Sequence, residues 1–236
     1  MRRERNFVFL RVKKDGDSVI RYLLSKIDFH HHFDEELIGF MKRDIKEEKI
    51  VFIPTSPDEK ITTQKYVEET LRFFEKAQIY FKKSVTLYSD MDPEAMSKEI
   101  KGASVLYLMG GNTLRQYDFI VHHNLQSVLK EFKGVVIGIS AGAINMCRKA
   151  VLTPIHEVEE VHLYNGLDLV SFSVEVHFEH SNKIHEQMVL NIAGKIDNEL
   201  YCISDFSAIR MDDHGHMSII GGGVYKVSGN EILKLS

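Results

Sequence analysis

Ser140 stands in Gly138-Ile139-Ser140-Ala141-Gly142-Ala143, directly after the apolar run Val135-Val136-Ile137. A short branched run bounded by Gly134 and Gly138 suits a strand buried on both faces, and Ala141 to Cys147 tolerates a helix. A serine at such a strand-to-helix turn is forced out of the sheet with its hydroxyl exposed, while the glycines leave room for the backbone to fold back. The chemistry this permits is nucleophilic attack on a carbonyl. A serine hydroxyl needs a neighbouring base to take its proton, and a histidine does this best when a carboxylate fixes its tautomer.

The chain has 12 histidines, most of them in polar contexts where a surface or hydrogen-bonded histidine is the ordinary reading. His177 differs. Residues 170–178 alternate strictly, with Phe172, Val174, Val176 and Phe178 on one face and Ser173, Glu175 and His177 on the other. That pattern predicts a half-buried strand with His177 on its polar face near the C-terminal end, where open α/β sheets place their crevice. His180 and His185, in the polar segment that follows, are its competitors. For the acid, Asp205 comes just after Leu200-Tyr201-Cys202-Ile203, again at a strand's end and at the sheet edge expected for Ser140. Asp168, in Asn165-Gly166-Leu167-Asp168, is the rival and reads equally well as a turn aspartate. An oxyanion hole requires two converging backbone donors. The Ala141 N–H is one, and the glycine pair of Met109-Gly110-Gly111-Asn112-Thr113 offers the other, although alone this segment reads as a turn with Asn112 or Thr113 capping a helix.

The elements that must position these groups are visible as alternating patterns. Strand-like runs at Phe7 to Val12, Ile50 to Ile53, Val85 to Leu87, Ser104 to Met109, Val135 to Ile139 and Leu200 to Ile203 are separated by amphipathic stretches. Asp34 can cap a helix through about Lys46, Thr63 to Lys76 has helical spacing, and Asp92-Pro93-Glu94 opens a third helix with Pro93 at its first position. This rhythm predicts an α/β fold with a mostly parallel sheet sandwiched by helices. Ala208 to Met211 and Met217 to Ile220, joined by Asp212-Asp213-His214-Gly215, predict a C-terminal β-hairpin edge that makes the sheet mixed.

Composition narrows the class. With 236 residues, 44% of them hydrophobic, and no internal repeat or linker, residues 1–236 read as a single hydrolytic domain. A net charge of −4 with interspersed signs argues against a nucleic-acid partner. No apolar stretch is long enough for a membrane helix, and the two cysteines, Cys147 and Cys202, have no metal-like or redox-like spacing. Met1-Arg2-Arg3-Glu4-Arg5 runs into Phe7 to Val12 without a small-residue cleavage site, unlike a signal peptide, so a reducing cytoplasm is the expected location.

Taken in order, Gly110-Gly111-Asn112-Thr113, Gly138-Ile139-Ser140-Ala141-Gly142-Ala143 and Val176-His177-Phe178 resemble peptidase E, the aspartyl dipeptidases of serine peptidase family S51. The resemblance runs from Ile50-Val51-Phe52-Ile53-Pro54-Thr55 to Ile220-Gly221-Gly222, and the interval from Ser140 to His177, 177 − 140 = 37 residues, suits the family. It implies a class I glutamine amidotransferase-like, flavodoxin-like fold, with Ser140 as nucleophile, His177 as base and Gly111 as an oxyanion donor. Asp205 takes the place where the family typically carries a glutamate. A second aspartate often found between serine and histidine is absent, Ile155 and His156 standing there, which favours Asp205. The substrate implied is a small peptide bound near Asn112, Thr113, Arg115 and His185, with no metal or organic cofactor and a monomer or homodimer as the assembly. The family's arginines after the catalytic histidine are missing from Asn182-Lys183-Ile184-His185-Glu186-Gln187-Met188. Arg115, Lys183 and His185 are the cations left to hold an aspartate side chain, which predicts a weakened or altered preference for it. A cyanophycinase-like hydrolase of the same fold and a non-catalytic ligand- or partner-binding relative are the alternatives.

Overall fold

A computed structural model describes residues 19–27, 34–155 and 158–235. The strand expected at Phe7 to Val12 and the position of His156 lie outside the described residues. In chain order the elements are β1 (Ile20–Leu24), α1 (Glu35–Asp44), β2 (Lys49–Ile53), α2 (Lys60–Lys76), β3 (Lys83–Thr86), α3 (Pro93–Lys101), β4 (Val105–Leu108), α4 (Thr113–His122), α5 (Gln126–Glu131), β5 (Val135–Ile139) and α6 (Ala141–Met146). They continue with β6 (His162's partner strand, Lys149–Leu152), β7 (His162–Asn165), β8 (Ser173–Val176), α7 (Lys183–Ala193), β9 (Leu200–Ile203), β10 (Ala208–Met211), β11 (Met217–Ile220), β12 (Val224–Ser228) and β13 (Glu231–Leu235).

The central sheet has seven strands in the order β11-β10-β1-β5-β4-β2-β3. Its five strands from β1 to β3 in that order are parallel, and β10 joins β1 antiparallel, so the expected mixed edge and hairpin are present. The inner parallel strands β2, β4 and β5 are apolar on both sides because each side meets helices. Along β5, Val136 points into one core with Leu23, Leu106, Phe119 and Ile144, while Val135, Ile137 and Ile139 point into the other with Met41, Val67 and Phe74. Asp34 and Asp92 cap α1 and α3 through their carboxylates, as their positions before apolar spacing predict.

Two strands differ from the sequence expectation. β9 belongs not to the central sheet but to a second one, β13-β12-β9-β8, where it runs parallel to β8. The polar face of β8 is not exposed: Ser173 and Glu175 are fully buried. β6 and α7 cover that face, and every buried polar group there needs a partner. Ser173 donates to the Lys149 carbonyl at 2.6 Å, and the Glu175 carboxylate takes hydrogen bonds from Thr153 at 2.9 Å and His185 at 2.8 Å. Alternation therefore predicted the strand and its sidedness, whereas burial of the polar side follows from what packs on it.

The turn from β5 into α6 depends on two glycines that touch each other. A Cβ on Gly138 would come within 2.7 Å of the Gly142 carbonyl carbon, and one on Gly142 within 2.2 Å of the Leu108 carbonyl oxygen on β4. Backbone cannot yield as a side-chain tip can. Gly142→Ala is expected to destabilise the fold by about 2–3 kcal/mol, as overpacking of a filled core does. Denaturant unfolding measures this, and an unchanged midpoint would show that β4 and α6 are not held at this distance.

Candidate active site

Four side chains from four strand ends meet at one point. Ser140 follows β5, His177 follows β8, Asp205 lies just past β9, and Ser25 follows β1. The two sheets thus bring their C-terminal ends to a common edge, and the parallel pairs β1 with β5 and β8 with β9 set the spacing within each half. Ser140 has φ 50° and ψ −109°, a backbone conformation that residues other than glycine rarely adopt. Its own amide donates to the Leu24 carbonyl at 2.8 Å, which pins the turn against β1.

Ser140 Oγ lies 2.9 Å from His177 Nε2, and His177 Nδ1 lies 2.6 Å from Asp205 Oδ1. With Nδ1–H donated to the carboxylate, Nε2 is left as the acceptor for the serine proton. His177 and Asp205 side chains keep 33% and 37% of their surface, so a substrate can reach the cluster from solvent. Ser25 was not singled out in the sequence. Its fully buried hydroxyl accepts from the His177 amide at 2.8 Å and donates to Asp205 Oδ1 at 3.0 Å. It therefore ties the backbone of a residue at φ 54° to the carboxylate that orients its ring. A serine directly after Leu23-Leu24 was the available signal, but Arg21 and Tyr22 hide the strand that carries it.

Gly111, at φ 123°, follows β4 beside the elbow. A Cβ there would sit 2.4 Å from Thr55 Oγ1, so both conformation and space exclude a side chain. Its neighbour Gly110 lies against Ile139 and Ser140.

The family model for peptidase family S51 matches residues 23–219, from β1 into β11. The chain belongs to peptidase family S51. Two solved structures show the same fold as this S51 chain. One is a peptidase from an acI-B1 Actinobacterium, with 16% identity, 93% of each chain covered and a TM-score of 0.67. The other is a putative peptidase E protein from Listeria monocytogenes EGD-e, with 19% identity, 89% of this chain and all of that chain covered and a TM-score of 0.61. No curated protein sequence matches it.

The remaining site candidates of this S51 peptidase fall in different places. Asp168 sits at the opposite end of the central sheet, beside Arg21 and Lys133, and pairs with Lys130 at 3.2 Å and Arg148 at 3.1 Å. His180 pairs with Glu186 and stacks on Tyr225. His185, expected to contact substrate, is fully buried on the inner side of α7, where it bonds Glu175 and packs on Phe178. Thr113 is likewise buried, at 2% exposure, at the start of α4. Asn112 caps α4 by accepting from the Arg115 amide at 2.8 Å, yet its exposed position still lines the cleft beside Gly111. Arg115 is turned to the 56–59 loop, donating to Glu59 at 2.6 Å, Ser56 at 3.3 Å and Asp58 at 3.4 Å. Lys183 is exposed and paired with Glu186. Burial pushes the Cys147 thiol up to about 12 and the Cys202 thiol well above its ordinary value, so neither is a competing nucleophile. Among the described residues, no group of three or more His, Cys, Asp or Glu is placed to hold a metal ion, and no helix is long and apolar enough to cross a membrane.

Proposed function

We propose that this S51 peptidase is a serine exopeptidase that hydrolyses dipeptides or short peptides through Ser140, His177 and Asp205. The observation that carries the reading is the continuous hydrogen-bonded chain from Ser140 Oγ through His177 to Asp205 at a strained strand-to-helix turn. His177 Nε2 takes the Ser140 proton as Oγ attacks the scissile carbonyl. The carbonyl oxygen becomes an oxyanion, and the amides of Ala141 and Gly111 are the donors offered to it. His177 then passes the proton to the leaving amine, the C–N bond breaks, and an acyl-enzyme on Ser140 remains. Water, deprotonated by His177, releases the acid and restores the serine. Nothing in this sequence of steps calls on a metal or cofactor.

A fluorophosphonate probe followed by a peptide panel tests the proposal. Labelling confined to Ser140, with cleavage of short peptides and release of the N-terminal residue, is expected. A protein left unlabelled that still binds peptides would instead be a non-catalytic relative, and release of β-aspartyl-arginine units would make it cyanophycinase-like.

Ser25 enters as a positioning residue. Ser25→Ala removes a donor from the Asp205 carboxylate and the acceptor of the His177 amide, and a hydrogen bond to a charged group contributes about 1.5–3 kcal/mol. The expected result is a fall in kcat of roughly 10- to 100-fold with KM little changed. A kcat at the parent value would show that Asp205 and His177 hold their places without it.

A further inference from the structure

A cleft of about 400 Å³ opens beside the elbow, with Gly110, Gly111 and Ile139 forming the wall nearest Ser140. These residues belong to the loop that would hold the oxyanion and to the strand end before the nucleophile. The cleft therefore lies within reach of the side chain on the α-carbon next to a carbonyl attacked by Ser140. No Lys, Arg, His, Asp or Glu lines it among the described residues.

Three of its hydroxyls are spent on backbone carbonyls. The single proton of Thr55 is donated to the Gly110 carbonyl at 2.9 Å, that of Thr63 to the Ser56 carbonyl at 2.9 Å, and that of Thr70 to the Tyr66 carbonyl at 2.9 Å. Each of these three threonines thus presents a methyl group and acceptor lone pairs, and the Tyr107 ring, Met109 and Ile139 add apolar surface. Tyr66, 52% exposed on α2, stands at the mouth as an open aromatic face. Arg115, which reaches the cleft residue Ser56, has its other donors on Glu59 and Asp58. A carboxylate entering such a cleft loses water without gaining a cation, and three of the hydroxyls around it have no proton left to give, so its desolvation is costly.

We propose that this cleft is the subsite for the residue that supplies the scissile carbonyl and that it selects an uncharged, apolar or aromatic side chain over aspartate. The proposal rests on Ser140 being the nucleophile, and deepens that reading by naming the substrate class. Ser140→Ala protein, which can hold a peptide without turning it over, provides the test by calorimetry with Phe-Ala, Leu-Ala and Asp-Ala. Phe-Ala and Leu-Ala should bind at least about tenfold more tightly than Asp-Ala, the scale on which an apolar site discriminates. Tyr66→Ala in the same background should weaken Phe-Ala several-fold and leave Asp-Ala where it was. Equal or tighter binding of Asp-Ala, or a Tyr66→Ala change that affects both alike, would overturn the proposal. Labelling of wild-type Ser140 by fluorophosphonate separates the two readings. A labelled protein that prefers Asp-Ala keeps the hydrolytic mechanism and loses the apolar subsite, whereas an unlabelled one overturns both.

Discussion

Ser140→Ala should abolish peptide hydrolysis while the protein unfolds at its usual midpoint. Removing the nucleophile of a serine triad costs on the order of 10⁶ in kcat, because the remaining members have nothing to activate. The fold should not suffer, since the Ser140 hydroxyl bonds His177 at a partly exposed site and alanine can follow the same backbone. His177→Ala should be about as damaging, and the double variant no worse than either alone, because the pair acts as a unit. Ser140→Gly adds a thermodynamic arm. A residue held at φ 50° stores about 1–3 kcal/mol of strain that glycine does not feel, so this inactive variant should be more stable than the parent. Steady-state kinetics with denaturant unfolding measures both quantities. Retained turnover in Ser140→Ala would remove the elbow from the mechanism, and a destabilised Ser140→Gly would mean the turn is not strained.

Asp205→Asn is expected to lower kcat by roughly 10⁴ with little loss of stability. An amide of the same shape can turn an N–H toward Nδ1 and favour the tautomer that protonates Nε2, which then cannot accept the serine proton. In a serine protease that change costs about this factor. The carboxylate's other contacts are the Ser25 hydroxyl and a distant, exposed Lys26 at 3.8 Å, so little else depends on its charge. Asp168→Asn is the matched control. It removes two exposed ion pairs at the far end of the sheet, for which about 1 kcal/mol of stability or less is at stake, and kcat should stay at the parent value. Reversal of this pair of results would move the acid to Asp168, against the 2.6 Å contact between His177 and Asp205.

How far the sequence could be read depended on the range of the interactions concerned. The α/β rhythm, the caps Asp34 and Asp92, the C-terminal hairpin and the strand-end positions of Ser140, His177 and Asp205 follow from patterns a few residues long. Such patterns act through neighbours on one helix turn or one strand face, so the sequence by itself determined them. Strand β1 is not legible locally because Arg21 and Tyr22 interrupt its apolar run. Their burial is decided by the Phe132 and Gly134 carbonyls that receive the Arg21 guanidinium, and by Asp44, which accepts from Tyr22 at 2.5 Å. With β1 went Ser25. The burial of Glu175 on the polar face of β8 and of His185 on α7 is likewise not written locally, since each is sealed by the other and by Thr153 beyond β6. Which hydroxyls around the cleft still have a proton to give was also beyond local reading. Tertiary structure decided these points because whether a polar group is free, paired or sealed depends on partners far away in the chain, and the short-range pattern that places a residue carries no information about them.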